Sequence, residues 1–184
     1  MQEPSGQMTT PPLQALLTGR ALAGDWALDP RRSSIRLKSR QLWGLAPVNG
    51  VFREVTGKGT VSPGGEVSGT VTVAAASIDT NNARRDRHLR SADFFDTGNH
   101  PDITVTADGV RPSGLGVAVT GALTVRGRTR RLSFDAAASV PGEGELCLDA
   151  EVRINRADFG LTWNLMGMAS MNNTLIIHAV FTRR

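Results

Sequence analysis

The densest group of chemically versatile side chains lies between Ser77 and Asp96, where Asp86, His88 and Asp93 accompany several arginines. Two carboxylates and an imidazole could act as general acid and base, and the same groups can bind metal ions. A metal site needs three or four converging ligands, and the spacing of these three matches no established motif. We therefore predict no metal site and no cofactor, and an enzyme site around these residues is the alternative function.

Other routes to catalysis have little support in the sequence. The single cysteine, Cys147, has no histidine near it in sequence, and no Gly-x-Ser-x-Gly motif is present. One cysteine also excludes an internal disulfide framework. We therefore expect a protein that is not an enzyme.

Arginine accounts for nearly all of the positive charge, in a chain whose formal net charge is +4. A single-stranded nucleic-acid site would need aromatic side chains interleaved with these cations, yet only 5% of the residues are aromatic. We therefore predict no nucleic-acid partner. The arginines form two clusters: Arg84, Arg85, Arg87 and Arg90, and then Arg126, Arg128, Arg130 and Arg131.

The segment that carries Asp86 and His88 must be held by the elements around it. Asp79 or Thr80 could cap a helix that runs to about Arg90. The adjacent Phe94 and Phe95 follow it, and a strand begins near Ile103. A polar helix that ends in two phenylalanines, inserted between strands, indicates a lid over the end of a β-structure.

The rest of the chain has a period of two. Leu115, Val117, Val119, Leu123 and Val125 alternate with small or polar residues, and a second alternating run from Leu132 to Val140 follows a short turn. Such a pair predicts a β-hairpin. Similar runs elsewhere bring the total to about eight strands, most with one apolar face. Antiparallel strands of this kind must close into a barrel or pack as a sandwich.

Residues 1–24 are rich in Pro, Ser, Gln and Thr, which predicts a flexible extension before a domain over residues 25–184. No basic region followed by an apolar run of signal-peptide length is evident, so we expect a cytoplasmic protein. No run approaches the ~20 apolar residues of a membrane helix, so we predict no stable membrane insertion.

Several segments in the same order resemble the YceI-like family. The resemblance covers residues 24–183, nearly the whole chain. It rests on Trp26–Pro30, Gly50–Phe52, Gly57–Gly59, Ser77–Asp96, Asn99–Ile103, Thr120–Gly127 and Ile154–Leu161.

This resemblance implies an all-β fold, an antiparallel lipocalin-like barrel of about eight strands with a short helical insertion at one mouth. It further implies that the hydrophobic interior binds a long-chain amphiphile, a polyisoprenoid, quinone or fatty lipid. The protein would then be a carrier, sensor or store, for example in isoprenoid transport or storage. Relatives of this kind are often homodimers, so a homodimer is expected.

With the inward faces inferred from the alternation, candidate ligand contacts can be named. Met166 and Met168 belong to a methionine-rich loop whose flexible side chains could adapt to a lipid tail. The other predicted apolar contacts are Phe52, Val71, Val73, Leu89, Phe94, Phe95, Ile103, Val105, Val117, Val119, Leu123, Phe134, Leu148, Ile154, Phe159 and Trp163. The predicted mouth or head-group contacts are Arg84, Arg85, Asp86, His88, Arg90 and Asp93.

Overall fold

The computed structural model describes residues 20–41, 45–114, 116–164 and 168–184. Most of the predicted flexible extension, residues 1–24, and the predicted contact Met166 lie outside the described residues.

The described residues form eleven strands and one α-helix. The strands are β1 (Gly24–Leu28), β2 (Ser34–Gln41), β3 (Ala46–Phe52), β4 (Val55–Val61), β5 (Val67–Ala74), β6 (Ile78–Asp79), β7 (Asp102–Ser113), β8 (Gly116–Val125), β9 (Arg128–Gly142), β10 (Glu145–Asn155) and β11 (Asn172–Arg183). The helix, α1, is Ala83–Arg90. Within this described part, no helix has the length and apolar character needed to cross a membrane.

Six of the strands form three long strands, each interrupted by a bend: β1 with β2, β3 with β4, and β5 with β6. β11 pairs with β1 near its end, through Phe181–Arg183, and with β2 nearer its start, through Thr174–His178. β4 continues β3 in the same way, and β6 continues β5, because both pairs keep the same antiparallel neighbours. The eleven segments therefore make eight long strands, which confirms the prediction of about eight.

These eight long strands form a closed antiparallel ring. Each long strand pairs with the next long strand in the sequence, from the first, β1 with β2, to the last, β11. The ring closes because β11 also pairs with β1 and β2. Closure leaves no sheet edge to be covered and turns one face of every strand inward. The structure thus decides for the barrel and against the sandwich that the alternation also allowed.

The two ends of the barrel differ in their connections. One end, called the mouth here, has the β2–β3 turn, the long β6–β7 connection that contains α1, the β8–β9 turn and the β10–β11 connection. The opposite end has shorter turns, and a 3-10 turn at Arg20–Leu22 packs against it. Leu22 is buried in the core there, and its carbonyl accepts a hydrogen bond of 3.0 Å from the Trp26 indole.

The helix begins later than the sequence predicts. Asp79 lies in β6, where its carboxylate accepts the backbone N–H of Asn81 and a bond from Arg53. These two donors lower the pKa of Asp79, the Asn81 N–H having the larger effect. The side chain of Asn82 instead caps α1 by accepting the backbone N–H of Arg85 at 3.0 Å.

The pairing of β7 with β8 leaves no space for a side chain at position 121, where the sequence has a glycine. β7 shifts register between Ala107 and Gly109, and a Cβ on Gly121 would collide with the carbonyl oxygen of Thr106. We expect Gly121→Ala to lower the free energy of unfolding by about 1–3 kcal/mol, as overpacking does. Urea denaturation measures this.

Gly142→Ala is the matched control, because this strand glycine has nothing within 4 Å of an added Cβ. Equal midpoints for the two variants would contradict the close approach of β7 to Gly121.

Candidate ligand-binding site

Two cavities occupy the barrel interior, one below the other. The upper cavity, of about 140 Å³, lies at the mouth, and the lower cavity, of about 150 Å³, lies towards the opposite end. Ile35, Val105 and Ile177 line both cavities, from β2, β7 and β11. The two spaces therefore adjoin at a waist made of three aliphatic side chains.

Most of the predicted apolar contacts line these cavities. The upper cavity includes Phe52, Val73, Leu89, Phe94, Phe95, Ile103, Val105, Leu123, Ile154, Phe159 and Trp163. The lower cavity includes Val71, Val105, Val119, Phe134 and Leu148. Val117 is buried in the core and Met168 is half-buried, but neither lines a cavity.

The lower cavity exists partly because its wall lacks side chains. Gly59 of β4 and Gly69 of β5 face each other across the β4–β5 ladder, and both line the cavity. Val61 and Val67, the next inward pair towards the end of the barrel, close the space below them. A pair of facing glycines thus provides room that two larger residues would fill.

The connection after α1 covers the upper cavity with aromatic rings. Phe95 is buried, with its ring edge-to-face against Phe52 at 6.2 Å between centroids. Phe94 packs against Phe95 in the same manner, at 4.9 Å. Backbone bonds from Phe95 to Leu89 and from Phe94 to Ser91 fix this turn. The two adjacent phenylalanines therefore form part of the cavity roof and wall.

Arg156 is a buried arginine in the wall of the upper cavity. Its side chain is 3% exposed, and it follows β10 in a 3-10 turn, Arg156–Phe159. Among the described residues its guanidinium has no carboxylate in salt-bridge range. Burial lowers the pKa of this group.

Backbone carbonyls of the β10–β11 connection replace a carboxylate as partners of Arg156. Its Nη1 donates to Leu161 at 2.6 Å and to Trp163 at 2.8 Å, and its Nε donates to Ser170 at 3.0 Å. The guanidinium also lies 5.5 Å from the centroid of the Phe94 ring, a cation–π distance. One side chain therefore shapes the connection that borders the mouth.

His88 presents an unpaired polar atom beside the same cavity. Its Nε2 is buried and has no hydrogen-bond partner among the described residues. The ring packs against Trp163 at 4.1 Å between centroids and against Phe94 at 6.5 Å. A buried imidazole nitrogen without a partner is costly, so a polar atom of a bound molecule would stabilise it.

The other predicted mouth residues have different surroundings. Arg85 lines the upper cavity and donates to the hydroxyl and the carbonyl of Thr80, and Arg90 donates to the carbonyls of Ala76 and Ile78. Asp86 is buried and accepts the backbone N–H and the hydroxyl of Thr80. Arg84 and Asp93 are exposed and line neither cavity.

Several residues of the cavity wall were not predicted as contacts. Ile35 and Leu37 alternate with charged residues in β2, so the period of two was a usable signal for them. Arg156 lies within a segment that carries the family resemblance, but no local pattern distinguishes it from the exposed arginines. Asn173 is buried at the start of β11 and also lines the upper cavity.

The fold and the cavities together define a lipocalin-like barrel: a closed antiparallel ring around an apolar interior, with a helix over one end. The chain belongs to the YceI-like family, because the YceI-like domain matches residues 26–181. The resemblance inferred from the sequence segments is thereby confirmed.

Curated relatives are similar over most of their length. The chain is 32% identical to Protein YceI of Escherichia coli O17:K52:H18 over 169 residues, which cover 86% of this chain and 87% of that protein. It is 33% identical to a UPF0312 protein of Ectopseudomonas mendocina over 175 residues, which cover 89% and 90%.

Solved structures share the fold. BcnA of Burkholderia cenocepacia has a TM-score of 0.76 at 21% identity, covering 83% of this chain and 98% of that one. A polyisoprenoid binding domain from Saccharophagus degradans has a TM-score of 0.72 at 15% identity, covering 86% and 98%. The YceI protein of Campylobacter jejuni has a TM-score of 0.66 at 25% identity, covering 74% and 85%.

The bonds of Arg156 predict a large loss of stability on its removal. In Arg156→Ala, the buried carbonyls of Leu161, Trp163 and Ser170 lose a charged donor, and we expect a loss of about 3 kcal/mol in the free energy of unfolding. Urea denaturation measures the change. The free energy of unfolding of Arg156→Lys should lie between those of the wild type and Arg156→Ala, since an ammonium group keeps three donors.

Arg153→Ala is the control, because Arg153 is an exposed arginine of β10 three residues before. A similar loss in both alanine variants would show that the carbonyl contacts of Arg156 contribute little.

Proposed function

We propose that the protein binds one long-chain amphiphile, a polyisoprenoid, quinone or fatty lipid, inside the barrel. The observation that carries this proposal is the pair of adjoining apolar cavities, which together extend from the mouth towards the opposite end. Each methylene of a chain buried there contributes about 0.8 kcal/mol, so a long tail binds tightly without specific polar contacts.

The distribution of polar groups supports a defined orientation of this ligand. Arg85, His88, Arg156 and Asn173 all border the upper cavity, whereas the inward side chains of the lower cavity are almost entirely apolar. A head group then lies at the mouth and the tail passes the waist. His88 Nε2 and Arg156 are the contacts that we propose for the head group.

The family supports the same class of ligand. The solved relative from Saccharophagus degradans is described as a polyisoprenoid binding domain. Its TM-score of 0.72 at 15% identity shows a shared fold alone, so the proposal for this chain rests on its own cavities.

The enzyme alternative lacks a shared site. Asp86 is engaged by Thr80, and Asp93 is exposed and lines neither cavity, so His88 faces the upper cavity without them. Binding is therefore the function that the geometry supports best. The expectations of a cytoplasmic location and a homodimer stay predictions, which cell fractionation and light scattering of the purified protein test.

Organic extraction of the purified protein followed by mass spectrometry tests the proposal directly. We expect a stoichiometric, chemically unchanged amphiphile with a long apolar chain. A protein that releases no such compound and takes up no fluorescent fatty acid in solution would refute the binding function.

A substitution at the waist tests whether the apolar chain of a single ligand extends through both cavities. Val105→Trp should block passage between them, and affinity for long chains should fall roughly tenfold for every two methylenes excluded, while short-chain analogues still bind. Titration with fatty acids of increasing length measures this dependence.

Thr106→Trp is the matched control, because Thr106 is the neighbouring exposed residue of β7 on the outer face. Val105→Phe provides a smaller obstruction in case the tryptophan unfolds the barrel. Equal loss for short and long chains in the waist variants would contradict a ligand that spans both cavities.

A further inference from the structure

Within the described part of the chain, the exposed large apolar side chains lie at one end of the barrel. Among the described residues, the large hydrophobic side chains that are exposed are Leu45, at 84%, and Trp163, at 43%. Leu45 lies in the β2–β3 turn and Trp163 in the β10–β11 connection, and both belong to the mouth. The opposite end has no such residue in its described turns.

Exposed arginines lie on the neighbouring elements of the mouth, and we call the whole set the mouth rim: Arg40, Leu45, Arg84, Arg87 and Trp163. The carbonyl of Arg40, just before the β2–β3 turn, accepts the backbone N–H of Ser170 at 2.9 Å. Trp163 packs against His88 of α1, and the same helix carries Arg84 and Arg87, both exposed.

Net positive charge is concentrated at the mouth. Of the 21 basic and 17 acidic residues in the sequence, 11 arginines and five aspartates lie in the described segments at the mouth. The remaining parts of the chain therefore carry more acidic than basic residues. The segments counted are 39–41, 45–48, 80–102, 124–131, 153–164 and 168–173.

The rim arginines are also free of carboxylate partners in the described structure. The ion pairs formed there by described residues involve Arg32, Arg53, Arg131 and His178. Arg40, Arg84 and Arg87 are in none of these pairs and are exposed. Their charge is available to an external anion.

We propose that the mouth rim docks reversibly on an anionic phospholipid bilayer, with Leu45 and Trp163 entering the interface and the arginines contacting phosphate groups. Trp is favoured at the level of lipid head groups, and arginines near an anionic surface strengthen adsorption. This inference rests on the proposed function, since Trp163 belongs both to the rim and to the wall of the upper cavity. Docking in this orientation places the cavity entrance against the lipid.

Co-sedimentation of the full chain with vesicles tests the proposal, with phosphatidylcholine alone or mixed with phosphatidylglycerol. We expect binding to the mixed vesicles, and loss of that binding in ~1 M salt, where screening acts within about 3 Å. Arg84→Gln/Arg87→Gln should weaken partitioning by about 25-fold, roughly fivefold per arginine. Leu45→Ser should weaken it as well.

Arg111→Gln/Arg184→Gln is the control, because it removes the same charge from exposed residues near the opposite end. This control should retain wild-type partitioning. Equal weakening in both double variants, or equal binding of the wild type to both kinds of vesicle, would overturn the proposal. A dimer that Leu45→Ser converts to monomers would assign the rim to a second copy and also overturn it.

Uptake of a fluorescent fatty acid in vesicle-free solution separates this inference from the proposed function. Arg84 and Arg87 line neither cavity, so the double variant should take up the probe like the wild type. If the wild type takes up the probe but does not bind anionic vesicles, the docking proposal is overturned and the proposed binding function is not. A wild type that binds those vesicles and takes up no probe overturns the cavity function instead.

Discussion

Closure of the ring by β11 is the constraint on which the rest of the structure depends. β11 pairs with β10 over its length on one side and with β1 and β2 on the other, so no strand of the ring is left as an edge. Because one face of each strand then points into the ring, its inward side chains must either fill the interior or leave space. The facing glycines Gly59 and Gly69 leave space, and the lower cavity results.

The mouth shows how a buried charge can organise a loop. Arg156 is desolvated without a carboxylate partner among the described residues, an arrangement that is unfavourable unless every available donor finds an acceptor. The carbonyls of Leu161, Trp163 and Ser170 accept from its Nη1 and Nε, and Nη2, whose bond to Ala169 is long at 3.5 Å, keeps a donor for a ligand. The same bonds hold Trp163 near His88, so the geometry of the cavity entrance depends on a residue that is remote from the helix.

The two ends of the barrel are chemically distinct. The mouth combines the polar edge of the cavity with exposed arginines and two exposed apolar side chains, while short turns and Leu22 close the other end. A ligand that enters at the mouth therefore meets polar groups first and aliphatic walls beyond the waist. This gradient matches an amphiphile better than a wholly apolar molecule.

The sequence by itself determined the strands and their buried faces, because the alternation of apolar and polar residues is a local property of extended backbone. The inserted helix was predicted in the polar segment that breaks this alternation. Most of the side chains that the sequence predicted as apolar contacts, Val105 among them, line the cavities. The sequence did not predict the start of α1, since the competing side-chain bonds of Asp79 and Asn82 depend on Arg53 and on the turn between them.

The alternation left closure open, the family resemblance implied a barrel, and the strand pairing confirms it. Only the tertiary structure decided that the interior divides at Ile35, Val105 and Ile177, and that Arg156 is buried among the described arginines. These features depend on residues far apart in sequence meeting across the barrel. An arginine's burial is fixed by which carbonyls surround it, and no local pattern contains that information.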